Sequence, residues 1–122
     1  WIFLGVGRPG VAVRENMRDS AGCWAVISYY GGCFHGGRRD YSWAGSQGFH
    51  RAGARVVLEL DADAGTLAVG VDGGALRRGL PGAKDYNGSG KEPAPLGGGP
   101  LCWCVYFHGS GPAVRFRPLP PP

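Results

Sequence analysis

A glycine-rich stretch near the start of the chain is the first candidate for chemistry. Residues 5–10, Gly-Val-Gly-Arg-Pro-Gly, match the pattern G-x-G-x-x-G with which dinucleotide-binding enzymes hold a pyrophosphate. That chemistry needs a strand before the first glycine and, after the last, a helix whose N-terminal amides face the phosphates. After Gly10 the sequence opens with apolar alternation and soon reaches a turn at residues 19–22, which leaves no room for a crossover helix. We therefore predict no bound cofactor and assign these glycines to turns and bulges.

Thiol and imidazole groups could bind zinc. The candidates are Cys23, Cys33, Cys102, Cys104, His35, His50 and His108. Cys102 and Cys104 would lie on the same face of a strand, because side chains alternate with period 2. Structural zinc sites usually present cysteines in C-x(2–4)-C knuckles on turns, and this sequence has none. We predict buried, reduced thiols of an intracellular protein, and no metal.

The aspartates of the central segment resemble a calcium loop only superficially. Asp61, Asp63 and Asp72 approximate D-x-D-x-D-G-x5-E. Gly65 replaces the third acidic ligand, Thr66 stands where the loop needs glycine, and the flanking residues have strand patterns. These aspartates are predicted to favour turns.

Short alternating segments predict an all-β protein. Residues 56–60 and 67–71 alternate apolar and polar around a turn at 61–65, which predicts a hairpin, and a second turn at 72–74 leads into a third strand at 75–76. Further strands are predicted at 23–30, 33–35, 101–107 and 113–116. Residues 81–100 are predicted to be a flexible insertion, and 118–122 a proline-rich tail or linker. The chain of 122 residues is then one domain over residues 1–117.

The charge distribution argues against nucleic acid as the partner. The formal net charge is +4, but arginines are scattered along the chain with acidic residues between them. A nucleic-acid-binding protein usually concentrates its basic residues on one face. No apolar stretch approaches membrane-spanning length, so we expect no membrane partner either.

The segment 38–53 combines arginine, tyrosine, tryptophan and serine with little periodicity, and it is long for a simple turn. Two interpretations stand side by side. Aromatic and arginine side chains dominate interface hot spots, which predicts a recognition loop. Alternatively, Tyr41 and Trp43 cover the end of the core.

These segments together resemble the SPRY domain, a module shared by tripartite-motif ubiquitin ligases, SOCS-box proteins and ryanodine receptors. The matching segments are Trp1 with residues 4–7 (W-x-x-G-V-A), 24–26 (the second tryptophan strand), 34–37 (the "hng" turn), 60–67 (L-D-x-x-x-G-T-L), 71–74 (the N-G turn) and 101–116 (the closing strand pair). The resemblance implies an antiparallel, concanavalin-like β-sandwich in which Gly5 and Gly7 belong to a strand. It also implies that the fold is incomplete at the N-terminus, because the strands that this family places before W-x-x-G-V are absent. A sheet edge and part of the core should then be uncovered unless other polypeptide supplies them. The upstream residues that grip a peptide in some members are missing as well, so the resemblance does not imply a complete peptide site.

The resemblance implies a non-catalytic module that binds a protein or peptide through loops at one end of the sheets. Those loops are residues 8–20, 29–32, 38–51 and 107–111. The residues predicted to contact the partner are Tyr29, Arg38, Arg39, Tyr41, Trp43, Arg51, His108 and Gly109. The aromatic residues at 41 and 43 would be the apolar anchors, the three arginines would meet acidic groups or carbonyls, and amides around Gly109 would donate hydrogen bonds.

Other function classes give different expectations. No nucleophile elbow is recognisable, which argues against an enzyme. A fixed structural domain of a large multidomain assembly, cytoskeletal or ciliary, is the main alternative. In either case we expect an intracellular, cytoplasmic protein in which this chain is part of a larger chain or complex. A carbohydrate-binding sandwich is a third interpretation, against which the free cysteines count.

Overall fold

Strands make up the regular structure in the part of the chain that the structure describes. The computed structural model describes residues 2–10, 20–40, 48–80, 96–109, 111 and 113–120. Within these ranges it contains eight strands and no helix. The strands are β1 (Ile2–Gly7), β2 (Cys23–Ile27), β3 (Cys33–His35), β4 (Arg38–Asp40), β5 (Val56–Asp61), β6 (Thr66–Val71), β7 (Arg77–Leu80) and β8 (Cys102–Phe107).

The strands form two antiparallel sheets that pack in two layers. The larger sheet has the order β4-β3-β2-β1-β8, and the smaller one has the order β5-β6-β7. Every neighbouring pair is antiparallel. The predicted all-β antiparallel sandwich is therefore confirmed.

The main core lies between the two sheets. The larger sheet contributes Leu4, Val6, Trp24, Val26 and Cys33, and the smaller one contributes Leu67, Val69 and Val71. Because these residues alternate along their strands, each sheet turns one apolar face toward the other. Full burial of side chains of this size stabilises the fold by about 1.5–3 kcal/mol each.

A second buried cluster lies on the opposite face of the larger sheet. It contains Phe3, Cys23, Ala25, Ile27 and Phe34. The ring of Phe3 meets that of Phe34 edge to face, with centroids 5.5 Å apart. Burial on both faces explains why β2 has a continuous apolar sequence, CWAVI, without the alternation of a half-exposed strand.

The smaller sheet follows the sequence prediction closely. β5 and β6 form the predicted hairpin, and in its turn the Asp61 carboxylate accepts a hydrogen bond of 2.9 Å from the Ala64 N–H while Gly65 has a φ of 67°. Asp72 directly follows β6 and has a φ of 51°, a conformation that non-glycine residues adopt infrequently. Two hydrogen bonds to the backbone of Arg55 hold it there. The third strand begins at residue 77, two residues after the expected position.

Two predictions about the segments outside these hairpins are wrong. Residues 38–40, expected in a loop, form β4, because positive φ angles at Gly36 and Gly37 turn the chain back against β3. Residues 113–116, expected to be a strand, have no regular structure, although Val114 packs against the core. Prolines at 112 and 118 flank this segment and cannot donate to a sheet ladder.

The end of the predicted insertion packs against the sandwich. Leu96 is fully buried in the main core, and the carbonyls of residues 97, 99 and 100 accept hydrogen bonds from Arg8. Residues 81–95 lie outside the described residues. The sequence did not predict this contact, because Leu96 is followed by three glycines and a proline, a composition typical of a loop.

Strand β1 lies between β2 and β8 in the larger sheet, and Gly5 allows it to pack closely on β2. A Cβ at Gly5 would lie 2.7 Å from the Cα of Ala25, and closer still to the carbonyl oxygen of Trp24. Both neighbours are backbone atoms of β2, so they cannot rotate away. Gly5 therefore serves the close approach of β1 and β2 rather than a phosphate.

We expect Gly5→Ala to lower the free energy of unfolding by about 1–3 kcal/mol, because the added methyl forces the two strands apart. Urea denaturation at equilibrium measures this. Gly97→Ala is the matched control: its Cβ would meet only the Ala62 carbonyl oxygen at 3.7 Å, an ordinary contact. Equal destabilisation by the two substitutions would contradict the proposed packing.

Candidate functional site

Strand register brings three chain segments together at one end of the larger sheet. Ile2, the first residue of β1, pairs with Phe107, the last residue of β8, and Phe3 pairs with Ile27, the last residue of β2. The chain continues beyond the sheet at this end through residues 28–32 and 107–109. Residues 48–51 are hydrogen-bonded to the same place, since the Phe49 N–H donates to the Ser28 carbonyl at 2.7 Å. We call these three segments the Tyr29 end.

Exposed aromatic side chains mark the Tyr29 end. Tyr29, Tyr30 and Phe107 are 60%, 43% and 45% exposed. The two tyrosine rings meet edge to face with centroids 5.0 Å apart, and the Tyr29 ring also packs edge to face on His50 at 6.2 Å. Exposed aromatic side chains make this end a candidate interaction surface, because aromatic residues are enriched at interfaces.

Ser28 lies beneath this surface and links its segments by hydrogen bonds. Its side chain is 1% exposed, and its Oγ accepts a hydrogen bond of 2.9 Å from the Ile2 N–H. The same Oγ lies 3.2 Å from Nδ1 of His50 and shares a hydrogen bond with it. The Ser28 backbone N–H donates to the Ile2 carbonyl at 2.8 Å. One buried residue therefore ties β1, β2 and the segment at 48–51 together.

The Ser28–His50 pair is structural in its geometry. A nucleophilic serine has to present its oxygen to a substrate beside a base. Ser28 Oγ is buried and already accepts from a backbone N–H, while His50 uses Nδ1 to reach it. The pair therefore positions the chain and leaves the outer part of the His50 ring beside Tyr29.

The structure groups some of the predicted contact residues and separates others. Tyr29, His108 and Gly109 are exposed and lie at the Tyr29 end, with Gly109 at a φ of 93°. Arg38 and Arg39 lie in β4, and Arg38 pairs with His35 at the opposite end of this short strand. The remaining two predicted residues, at positions 41 and 43, lie outside the described residues.

Arg51 lies at the Tyr29 end but has partners within the chain. Its guanidinium forms a salt bridge with the Asp72 carboxylate and donates a hydrogen bond of 3.2 Å to the Gly48 carbonyl. Both charged side chains are substantially exposed, so the ion pair contributes at most about 1 kcal/mol. An acidic group of a partner would have to compete with Asp72 for this arginine.

Arg8 belongs to a predicted recognition loop, 8–20, but it has a role in the fold. Its guanidinium donates to the carbonyls of Gly97 and Gly99 at 3.0 and 2.9 Å. It also lies 5.2 Å above the centre of the Trp24 ring, a cation–π distance. On the same sheet face, His35 stacks on Trp24 with a centroid distance of 4.5 Å. Arg8 therefore anchors residues 97–100 against the core.

The predicted contact residues did not include Tyr30, His50 or Ser28, although Tyr30 and His50 lie within the predicted loops 29–32 and 38–51. The pair Tyr29-Tyr30 directly follows an apolar strand and precedes two glycines, and two adjacent aromatics at a strand end were a signal that at least one ring would be exposed. No local signal links Ser28 to His50, since their contact depends on the packing of distant segments.

The four cysteines form no disulfide, but only two of them are buried as predicted. Cys23 and Cys33 are buried, whereas Cys104 is partly exposed and Cys102 is exposed, because β8 is the edge strand of its sheet. Burial, and then the nearby Asp40 carboxylate, raise the pKa of the Cys33 thiol well above its usual value. Among the described residues, no group of three or more His, Cys, Asp or Glu is arranged to hold a metal ion.

Comparisons with known proteins leave the family open. No family model, curated protein or solved structure matches the chain. In the part of the chain that the structure describes, no helix is long and apolar enough to cross a membrane.

We expect Ser28→Ala to lower the free energy of unfolding by about 1–3 kcal/mol, because it leaves the partly buried Ile2 N–H without its acceptor. Hydrogen exchange of the Phe49 amide should also accelerate, since the neighbouring His50 loses its hydrogen bond to Ser28. Urea denaturation and amide exchange by NMR measure the two effects. Ser20→Ala, at a half-buried hydroxyl that accepts from the Gly22 N–H, is the control and should cost less. Unchanged exchange at Phe49 would contradict the role of Ser28.

Proposed function

We propose that this chain is a non-catalytic interaction domain that binds a partner protein or peptide through the Tyr29 end. The observation that carries the proposal is the presence of three exposed aromatic side chains, Tyr29, Tyr30 and Phe107, around one sheet end. Tyrosine is enriched at interface hot spots, because it offers a large apolar ring and a hydroxyl at low conformational cost.

Preorganisation supports the same proposal. Binding costs free energy when loops must be ordered, so a surface that is already held in place binds more tightly. Tyr29 follows directly on the buried Ser28, and its ring packs on both Tyr30 and His50. The anchor rings of this surface are thus supported from below by hydrogen bonds and from the side by each other.

The described residues on either side of the predicted recognition loop support the same proposal. The segment that carries Tyr41 and Trp43 is joined to the described structure at Asp40 and at Gly48. Asp40 pairs with Cys33, the residue of β3 nearest this sheet end, and Gly48 directly precedes Phe49. In the resemblance to the SPRY domain, loops at one end of the sandwich bind the partner, and we propose the same use here.

The proposal is tested with a photo-reactive benzoylphenylalanine at position 29 of the full-length protein in its own cells. We expect cross-links to one separate protein. With that partner purified, Tyr30→Ala combined with His108→Ala should weaken binding at least about tenfold, as expected for loss of one hot-spot residue or more.

Val57→Ala is the matched control, because Val57 is exposed on β5 in the smaller sheet and should not affect binding. Equal loss of affinity in the control and the double variant, with both folded by circular dichroism, would contradict the site. A partner whose affinity changes with neither variant would contradict it as well.

A second function, a fixed structural domain of a larger assembly, is favoured by a different observation. In the described part of the chain β8 has one neighbour, β1, and Trp103 on this strand is 51% exposed. The strand sequence CWCVYF has no charge and no proline, the devices that usually protect an edge strand from pairing. A strand of other polypeptide could extend the sheet here.

For this function we expect Trp103→Lys in the full-length protein to remove stoichiometric neighbours from the purified assembly, because a charge opposes edge pairing and burial. Quantitative mass spectrometry of the isolated complex measures it, with Leu76→Lys, another exposed apolar position, as the control. If the Trp103→Lys variant retains every neighbour, β8 is not an assembly edge. That result would leave the proposal for the Tyr29 end unchanged.

A further inference from the structure

Three of the four cysteines lie on one face of three adjacent strands. Gly7 of β1 pairs with Cys23 of β2 on one side and with Cys102 of β8 on the other, and Gly5 pairs with Cys104. Directly opposed residues of antiparallel strands project from the same face of a sheet. Cys23, Cys102 and Cys104 therefore share the face away from the main core, with two glycines between them.

Two sulfurs border the space that a side chain at Gly7 would occupy. A Cβ at Gly7 would lie 3.0 Å from Sγ of Cys104 and 3.3 Å from Sγ of Cys23. Strands that flank a common neighbour are about 10 Å apart, too far for thiols that point straight out of the sheet. Both thiols therefore lean over the same glycine. Burial, and then the proximity of Cys23 and Cys102, raise the pKa of Cys104, in agreement with a close group of sulfurs.

A disulfide does not fit this geometry. The Cα atoms of Cys23 and Cys104 lie on strands about 10 Å apart, whereas a disulfide needs Cα atoms closer than about 7 Å. A tetrahedral site with three or four protein ligands is not formed by the described residues. Two converging thiols across a gap suit a soft cation that accepts two sulfur ligands.

We propose that Cys23 and Cys104 bind one Cu(I) ion across Gly7. Each thiol loses its proton as its sulfur binds, so one Cu(I) and two thiols give a dithiolate complex of net charge −1 and release two protons. Cys102 is exposed beside the pair and offers a thiol at the solvent side for delivery of the ion. This inference is independent of the proposed protein-binding function.

Proton release makes the affinity depend on pH. Because binding displaces the thiol protons, the apparent affinity for Cu(I) rises with pH as long as the thiols are protonated in the free protein.

The experiment is an anaerobic titration of the full chain with Cu(I) held by bicinchoninate, whose coloured complex loses absorbance when the protein removes the ion. We expect one equivalent of Cu(I) to be bound. Cys104→Ser should weaken binding by more than about 100-fold, since loss of a ligand exceeds the roughly 10- to 100-fold cost of losing an outer partner.

Two further variants complete the design. One fills the space at Gly7 and keeps every cysteine, and the other removes a cysteine that is not a proposed ligand. Gly7→Ala keeps every cysteine but places a methyl between the two sulfurs, and it should also lose Cu(I). Cys33→Ala removes a buried thiol of the main core and should keep Cu(I). Circular dichroism confirms the fold of each. Retention of Cu(I) by both Cys104→Ser and Gly7→Ala, or loss of it in Cys33→Ala alone, would overturn the proposal.

X-ray absorption on the Cu(I)-loaded wild-type chain gives a test that needs no variant. Two sulfur ligands are expected. A coordination sphere of nitrogen or oxygen, or absence of any bound equivalent in the titration, would also overturn the proposal.

Discussion

The candidate site depends on the hydrogen bonds made by the buried hydroxyl of Ser28. This hydroxyl accepts a hydrogen bond from the Ile2 N–H and shares another with His50, while the backbone of the same residue binds Ile2 and Phe49. A buried polar group without partners costs about 1–3 kcal/mol, so each of these segments is held in place by the need to satisfy the others. Because β1 also pairs with β8, the position of Ile2 sets where Phe107 and His108 leave the sheet. The exposed aromatic side chains are thus placed by hydrogen bonds beneath them.

The unequal width of the two sheets explains the other exposed features. Five strands pack on three, and β8, at the edge of the larger sheet, has an exposed tryptophan and an exposed cysteine. Two glycines in β1 have opposite consequences. At Gly5 the backbone of β2 fills the space that a side chain would need, whereas at Gly7 the space is shared by two thiols. Strand β1 therefore packs closely against β2 at Gly5 and leaves room for two thiols at Gly7.

Local patterns predicted those parts of the fold that local contacts determine. The hairpin of β5 and β6 follows from alternation and from turn residues, and its strands match the predicted ones to within one residue. The pattern failed at β4, because residues 38–40 lack the alternation of a strand and were assigned to a loop, and at 113–116, where alternation exists but no strand forms. At the site, Tyr29, His108 and Gly109 were predicted from a resemblance, while the link between Ser28 and His50 was not. That link joins residues 22 positions apart, and no pattern in the sequence encodes it.

Hydrogen–deuterium exchange of the full-length protein, with and without the partner identified by cross-linking at position 29, tests the central claim most directly. Binding through the Tyr29 end predicts added protection in residues 28–32, 48–51 and 107–109, with the amides of residues 102–105 unchanged. Protection confined to 102–105, or spread evenly over both sheets, would contradict the claim and would favour attachment of the domain through its β8 edge.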